Sequence, residues 1–284
     1  MIKFVCDVSA DIPAEIAKEK GLRVFPFYVN YPDDSFLADI DLSPKAFYEK
    51  FKSREDLPST SQTPPQLVED TYRELGKENQ IIHICIPANG SGTFQTAKNI
   101  ADELNEEGFD ITVIDSKCYS MGIGYHILKA VEMAENGKTK EEIVDYLNHV
   151  YERDRAYFIV DDLTTLQKGG RIKATTMVIT KLLDIKPILR TDNGKVEAFE
   201  KVKGLKKAIS KMVNIAVENM ADPENGEVVL LSNEADDKLE IAKKMVEEKL
   251  NPKKISTYDV GPIITCHAGM GVIGIFFEHK ETEE

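Results

Sequence analysis

No stretch of this chain stays apolar for the roughly 20 residues that a membrane-spanning helix requires, so stable insertion into a bilayer is not expected. The apolar run within residues 1–13 is too short for a signal-peptide core and is followed at once by Asp7, which makes the cytoplasm the expected location. An excess of basic charge is missing as well. Lys and Arg number 36 against 49 Asp and Glu, a net charge of -13. Such a field repels phosphate backbones and anionic lipid surfaces, which excludes nucleic acid as a non-specific partner. An anionic ligand would have to be held by a local cluster that overrides the global sign.

Cysteine is scarce and scattered. Cys6, Cys85, Cys118 and Cys266 show no CxxC spacing, so neither a zinc site nor a disulfide framework is supported, and buried reduced thiols are expected. The histidines offer no second ligand at helical spacing: His83 falls in a strand-like run, and His126 and His149 fall in amphipathic helices as surface or packing residues. Two catalytic signatures are also absent. No glycine-rich loop ends in Gly-Lys-Ser/Thr, and Asn89 stands where a Gly-x-Ser-x-Gly elbow would need its first glycine. There is no internal repeat and no low-complexity segment.

What is present is an ordinary globular balance, 42% hydrophobic and 30% charged over 284 residues, enough for a core and an internal cavity. Apolar runs at 2–6, 22–29, 81–86 and 111–114 read as strands. Helical patterns lie between and after them: a stretch beginning after Asp11, taken as its cap; a helix opened by Ser43-Pro44 with Phe47 and Phe51 on one face; one from 63 to about 76 with capping-box spacing at Thr63; and others over 93–107, 122–135 and 139–153. This alternation implies a parallel sheet with helices on both faces. Beyond residue 155 the pattern changes. A strand at 157–160 is followed by a hairpin, 186–190 and 196–202, about Asp192-Asn193-Gly194. Then come helices over 205–220 and 237–250 and strands over 228–231, 255–260 and 272–278, so the second sheet is mixed. The expected fold is α/β in two domains, 1–155 and 156–284, with the ligand site between them. The acidic end, 281–284, reads as solvated.

Four segments gather small, hydroxylated or charged residues beside apolar elements, where open α/β sheets bind ligands. The loop Ser59-Thr60-Ser61-Gln62-Thr63 offers more hydroxyls than a helix cap needs, though an ordinary capping loop is the plainer local reading. Asn89-Gly90-Ser91-Gly92-Thr93 joins a strand to a helix N-terminus, where free N–H groups and a partial positive charge suit a carboxylate or phosphate; a plain βα turn fits equally. Lys168-Gly169-Gly170-Arg171 either places a guanidinium for an oxyanion or is a helix end followed by a structural arginine. His267 in the glycine-rich loop 267–271 either donates to an anion or bonds to backbone.

These segments, in order, carry a resemblance that spans nearly the whole chain. Val5-Cys6-Asp7-Val8-Ser9-Ala10-Asp11, Thr60-Ser61-Gln62-Thr63-Pro64, Ser91-Gly92-Thr93-Phe94-Gln95-Thr96-Ala97, Ile114-Asp115-Ser116 with Ser120-Met121-Gly122, Leu166-Gln167-Lys168-Gly169-Gly170-Arg171-Ile172 and His267-Ala268-Gly269-Met270-Gly271 resemble the successive motifs of the DegV family. Each motif alone is weak, and six at matching separations are strong. The resemblance implies a bacterial, two-domain carrier that encloses a long-chain fatty acid and needs no cofactor, metal or catalytic residue of its own. It implies that Thr60 and Ser91 bind the carboxylate, with Ser61, Gly92 and Thr93 beside them. It further implies that Arg171, His267 and Lys203 form a head-group or partner face, from which the acid is presented to a separate fatty-acid kinase that feeds phospholipid synthesis. Three positions depart from the family's pattern: Pro87-Ala88-Asn89 replaces Ser-Ser-Gly, Lys203-Gly204 replaces Arg-Thr, and Met270 replaces proline. The alternative is an enzyme, a phosphotransferase or a hydrolase built on Ser91 with His267 and Asp115, acting on a small anionic substrate.

Overall fold

A computed structural model describes residues 1–172 and 184–281. Three sheets organise them. The first has four parallel strands in the order β2 (Arg23–Phe25), β1 (Ile2–Asp7), β6 (Gln80–Cys85), β7 (Asp110–Asp115). Its strands are apolar on both sides because both sides are covered. Phe4, Cys6, Ile82, Ile84 and Ile114 pack under α5 (Met121–Glu135) and α6 (Lys140–Arg153), while Val5, Phe25, Ile81 and Ile111 pack under α3 (Pro65–Leu75) and α4 (Thr93–Glu106).

A small antiparallel sheet, β4 (Asp34–Leu37), β3 (Tyr28–Tyr31), β5 (Ser59–Ser61), stands apart from the first and packs on α2 (Pro44–Lys52) through Val29, Phe36 and Phe47. The third sheet is mixed and has six strands: β10 (Lys195–Lys203), β9 (Ile185–Asp192), β8 (Ala156–Ile159), β13 (Ile273–Phe276), β11 (Glu227–Ser232), β12 (Lys254–Asp259). Every strand of the first two sheets precedes Asp154, and every strand of the third follows it. One face of the six-stranded sheet is covered by α8 (Leu205–Asn219) and α9 (Asp236–Lys249). On the other face Leu189, Val229, Leu231 and Phe276 meet Met121 and Tyr125 of α5 and the short helices α7 (Thr164–Lys168) and α10 (Pro262–Ala268).

Several local expectations are corrected. Asp11 does not cap α1 (Ala14–Glu19), which starts from Pro13 without a side-chain cap. Asp11 is instead buried at φ 52, where its carboxylate accepts from the Ser120 hydroxyl. Thr63 does not cap α3. Two prolines follow it, the residue before a proline is held extended, and its hydroxyl donates to the Pro26 carbonyl at 2.7 Å. Ser59-Thr60-Ser61 is a strand rather than a loop, in register with Asn30, Val29 and Tyr28. His267 lies in the last turn of α10 rather than in a loop. The capping box of α6 does form, with Thr139 and Glu142 satisfying each other's backbone N–H groups. All four cysteines are buried and free. Within the acidic tail, residues 282–284 lie outside the described residues; Glu281 is exposed as expected and also accepts from Arg153 and His149 at 2.6 and 2.9 Å.

Candidate functional site

A cavity of about 310 Å³ opens on the face of the six-stranded sheet opposite α8 and α9. Its floor is the sheet itself: Ala156 and Phe158 of β8, Val196 of β10, Leu231 of β11 and Gly274 of β13. Ile263, Ile264 and Ala268 of α10 form one wall, and Phe27, Ile86 and Tyr119 close it from the first half of the chain. The volume falls within the roughly 300–1,000 Å³ usual for small-molecule sites, and most of the lining is hydrocarbon.

Ser120 and Thr191 line the cavity with hydroxyls already engaged, the first donating to Asp11 and the second accepting from Ala156 N at 2.9 Å. The remaining polar groups gather at one end: Thr60, Gln62, Ser91, Arg171 and His267, with the backbone of Gly90 and Gly92. The local structure explains which residues arrive there. Successive side chains of β5 alternate, so Thr60 turns inward while Ser59 and Ser61 stay exposed, and Ser61 Oγ accepts from Asn30 Nδ2 at 3.0 Å. The chain leaving β6 folds back at Pro87, whose carbonyl accepts from the N–H groups of Gly90 and Ser91 at 2.8 and 3.0 Å, and α4 then starts at Thr93. Ser91 Oγ lies 2.9 Å from Thr93 Oγ1 and accepts from Thr93 N at 3.3 Å.

The two glycines before Arg171 have different tasks. Gly169 lets α7 approach α10, since a Cβ there would stand 2.8 Å from His267 Nδ1. Gly170 adopts φ +73, which ends the helix and turns the chain. Arg171 is exposed at the mouth and donates to the carbonyls of Gly169 and Gly90, the latter at 3.2 Å. His267 Nε2 sits 2.9 Å from Thr60 Oγ1. Burial, aided by the Arg171 guanidinium, pushes the imidazole down to about 4, so the ring is neutral at pH 7.

Of the residues singled out in the sequence, Thr60, Ser91, Gly92, Arg171 and His267 line the cavity. Ser61 points away, Thr93 is buried behind Ser91, and Lys203 lies at the exposed end of β10, away from the cavity lining. The triad Ser91, His267 and Asp115 does not assemble: Asp115 Oδ1 accepts from the N–H groups of Ala88 and Lys117, and Ser91 bonds Thr93. Sequence reasoning missed Gln62, Phe27 and Tyr119 as lining residues. For Gln62 a signal existed, because it continues the two-residue alternation that points Thr60 inward. Tyr119 lines the cavity with its hydroxyl donating to Gly194 O at 2.8 Å, a partner distant in sequence. Among the described residues no cluster of His, Cys, Asp or Glu could hold a metal ion, and no helix is long and apolar enough to cross a membrane.

Comparison with known proteins gives one consistent result. A family model described as the uncharacterised protein family DegV matches residues 1–280. Protein DegV of Bacillus subtilis (strain 168) is 35% identical over 282 residues, covering 96% of this chain and 98% of that one. The crystal structure of DegV from Bacillus subtilis, described as a fatty acid binding protein, matches with a TM-score of 0.84 at 30% identity and covers 98% and 99% of the two chains. A DegV family protein from Thermus thermophilus, described for its fatty acid binding, matches with a TM-score of 0.88 at 26% identity and the same coverage.

Proposed function

This chain belongs to the DegV family, and from that premise we propose that it binds one long-chain fatty acid between its two halves, as a cytoplasmic carrier. The observation that carries the reading is the contrast between a largely hydrocarbon chamber and a polar end with Thr60, Ser91, His267 and Arg171. Burying an acyl chain contributes roughly 0.8 kcal/mol per CH2. The carboxylate needs donors, and the hydroxyls of Thr60 and Ser91 supply them without adding charge. The neutral His267 orients the Thr60 hydroxyl through their 2.9 Å contact. Arg171, the cation at the mouth, offsets part of the surrounding negative field of a chain with net charge -13.

The finer step is presentation of the carboxylate to a separate fatty-acid kinase. It is supported by the exposure of Arg171 at the mouth, where the head group would be reached from outside. Lys203, outside the cavity, would serve such a partner rather than the ligand. A hydrolase is disfavoured by the chemistry of the pair at hand. The hydroxyl beside His267 belongs to Thr60, no carboxylate orients the ring at Nδ1, and an imidazole held near 4 is a weak base at neutral pH.

The test is native mass spectrometry of protein purified from a bacterial host, followed by titration with oleic and palmitic acids. About one acid per chain is expected. A spectrum showing only the bare chain, together with no uptake of either acid, would overturn the carrier reading.

A further inference from the structure

Gln62 holds one unused hydrogen-bonding group at the polar end of the cavity. It follows β5 on the side of Thr60 and lines the same space. One end of its carboxamide is engaged: Nε2 lies 3.1 Å from Thr96 Oγ1 on α4. The other end, Oε1, is buried without a partner. It faces the first turn of α4, since a Cβ built on Gly92 would stand 3.5 Å from it. That turn has no side-chain cap on its N-cap residue and adjoins the Ser91 hydroxyl.

A carbonyl oxygen is the wrong end of the amide to aim at a carboxylate, because two acceptors repel. The two ends of a carboxamide have the same shape and opposite hydrogen-bonding character. Half a turn about the last torsion exchanges them without disturbing the packing. The Thr96 hydroxyl both donates and accepts, so it satisfies Oε1 as readily as Nε2. We propose, on the fatty-acid reading above, that Gln62 is a third ligand of the carboxylate. With the acid bound, its amide nitrogen faces Gly92 and donates to the head group, while the Thr96 hydroxyl donates to Oε1. The unpaired Gln62 oxygen and the unpaired acceptor of the incoming acid are thereby resolved by one rotation.

The assignment predicts a reversal of head-group preference. Gln62→Glu keeps the shape but leaves only acceptors and a negative charge at the site. Binding of oleic acid and of oleamide is measured for the wild-type chain, for Gln62→Glu and for Gln62→Met, which keeps the length and removes the donor. Gln62→Glu is expected to lose the acid by tenfold or more while holding or gaining the amide, whose NH2 can now donate to the new carboxylate. Gln62→Met is expected to lose the acid by roughly tenfold, the usual consequence of removing one hydrogen bond to a charged group. Wild-type affinity for the acid in either variant, or parallel loss of acid and amide, would overturn the assignment; if Gln62→Glu does not fold, Gln62→Met decides it. A wild-type chain that binds neither ligand would overturn the fatty-acid reading together with this one, whereas a wild-type chain that binds the acid beside indifferent variants removes Gln62 alone.

Discussion

Ser91 and Asp39 show how burial and partners set what a single side chain can do. Ser91 Oγ accepts from the Thr93 N–H at the start of α4 and meets the Thr93 hydroxyl, and with that hydroxyl as donor the Ser91 proton is left to offer toward the cavity. Ser91→Ala is expected to weaken binding of a free acid by roughly 1.5–3 kcal/mol and that of its methyl ester by less; equal losses in a calorimetric titration would show that Ser91 does not touch the carboxylate. Asp39 lies in the left-handed region at φ 62, its Oδ1 is buried without a partner, and burial pushes its carboxyl up to about 6. A raised carboxyl contributes stability that is fully present below the unfolded value of about 3.8 and is lost as pH rises through about 6. Asp39→Asn, which tolerates that backbone, should therefore raise stability by on the order of 1 kcal/mol at pH 8 and by almost nothing at pH 4. A melting-temperature gain that is the same at both pH values would contradict the buried-charge explanation.

The elements differ in how much of their role was readable. The parallel strands announce themselves as continuous apolar runs, and β9 and β10 through Asn193-Gly194, because in each the signal is local. The short elements that build the site are harder. β5 is three residues of Ser and Thr that look like a loop, and it is a strand only because β3 pairs with it. α10 has too few residues for a periodic pattern, and its fold is decided by Cys266 and Ile263 packing against α2 and β3. On β13 the glycine at 274 sits among Ile273, Ile275 and Phe276 and leaves the cavity floor flat; a Cβ there would meet Leu231 and Phe158 at ordinary contact distances. Gly274→Val should thus fold, place its methyl groups in the chamber and shift preference toward shorter acids. Loading the variant from an equimolar mixture of acids of graded length checks this; an unchanged length profile would place the acyl chain elsewhere.

At the scale of the whole molecule, the two halves are joined by shared packing and by one buried carboxylate. Cys118, Met121 and Tyr125 belong to the same apolar cluster as Leu189, Leu231 and Phe276. Asp154 lies at the crossing. Burial alone would raise its carboxyl, yet hydrogen bonds from His126 and Arg153 and from the His279 backbone hold it down at about 2. Such coupling predicts a single thermal unfolding transition, raised by ligand; at a hundredfold excess of free acid over its Kd, mass action adds about 2.7 kcal/mol. Two separate transitions in calorimetry would instead mark 1–155 and 156–284 as independently folding units. The sequence by itself determined the class of fold, the order of its main strands and helices and the free cysteines, because periodicity and turn chemistry act over a few neighbouring residues, while most of the inward-facing polar residues were named through the resemblance of its ordered motifs. Only the tertiary structure decided that Thr60 and not Ser61 faces inward, that His267 stands neutral against Thr60, and that Gln62 keeps an unpaired group at the head of the cavity. Those outcomes depend on strands and helices distant in sequence, whose burial sets both direction and charge, and no local pattern encodes which distant surface will cover a side chain.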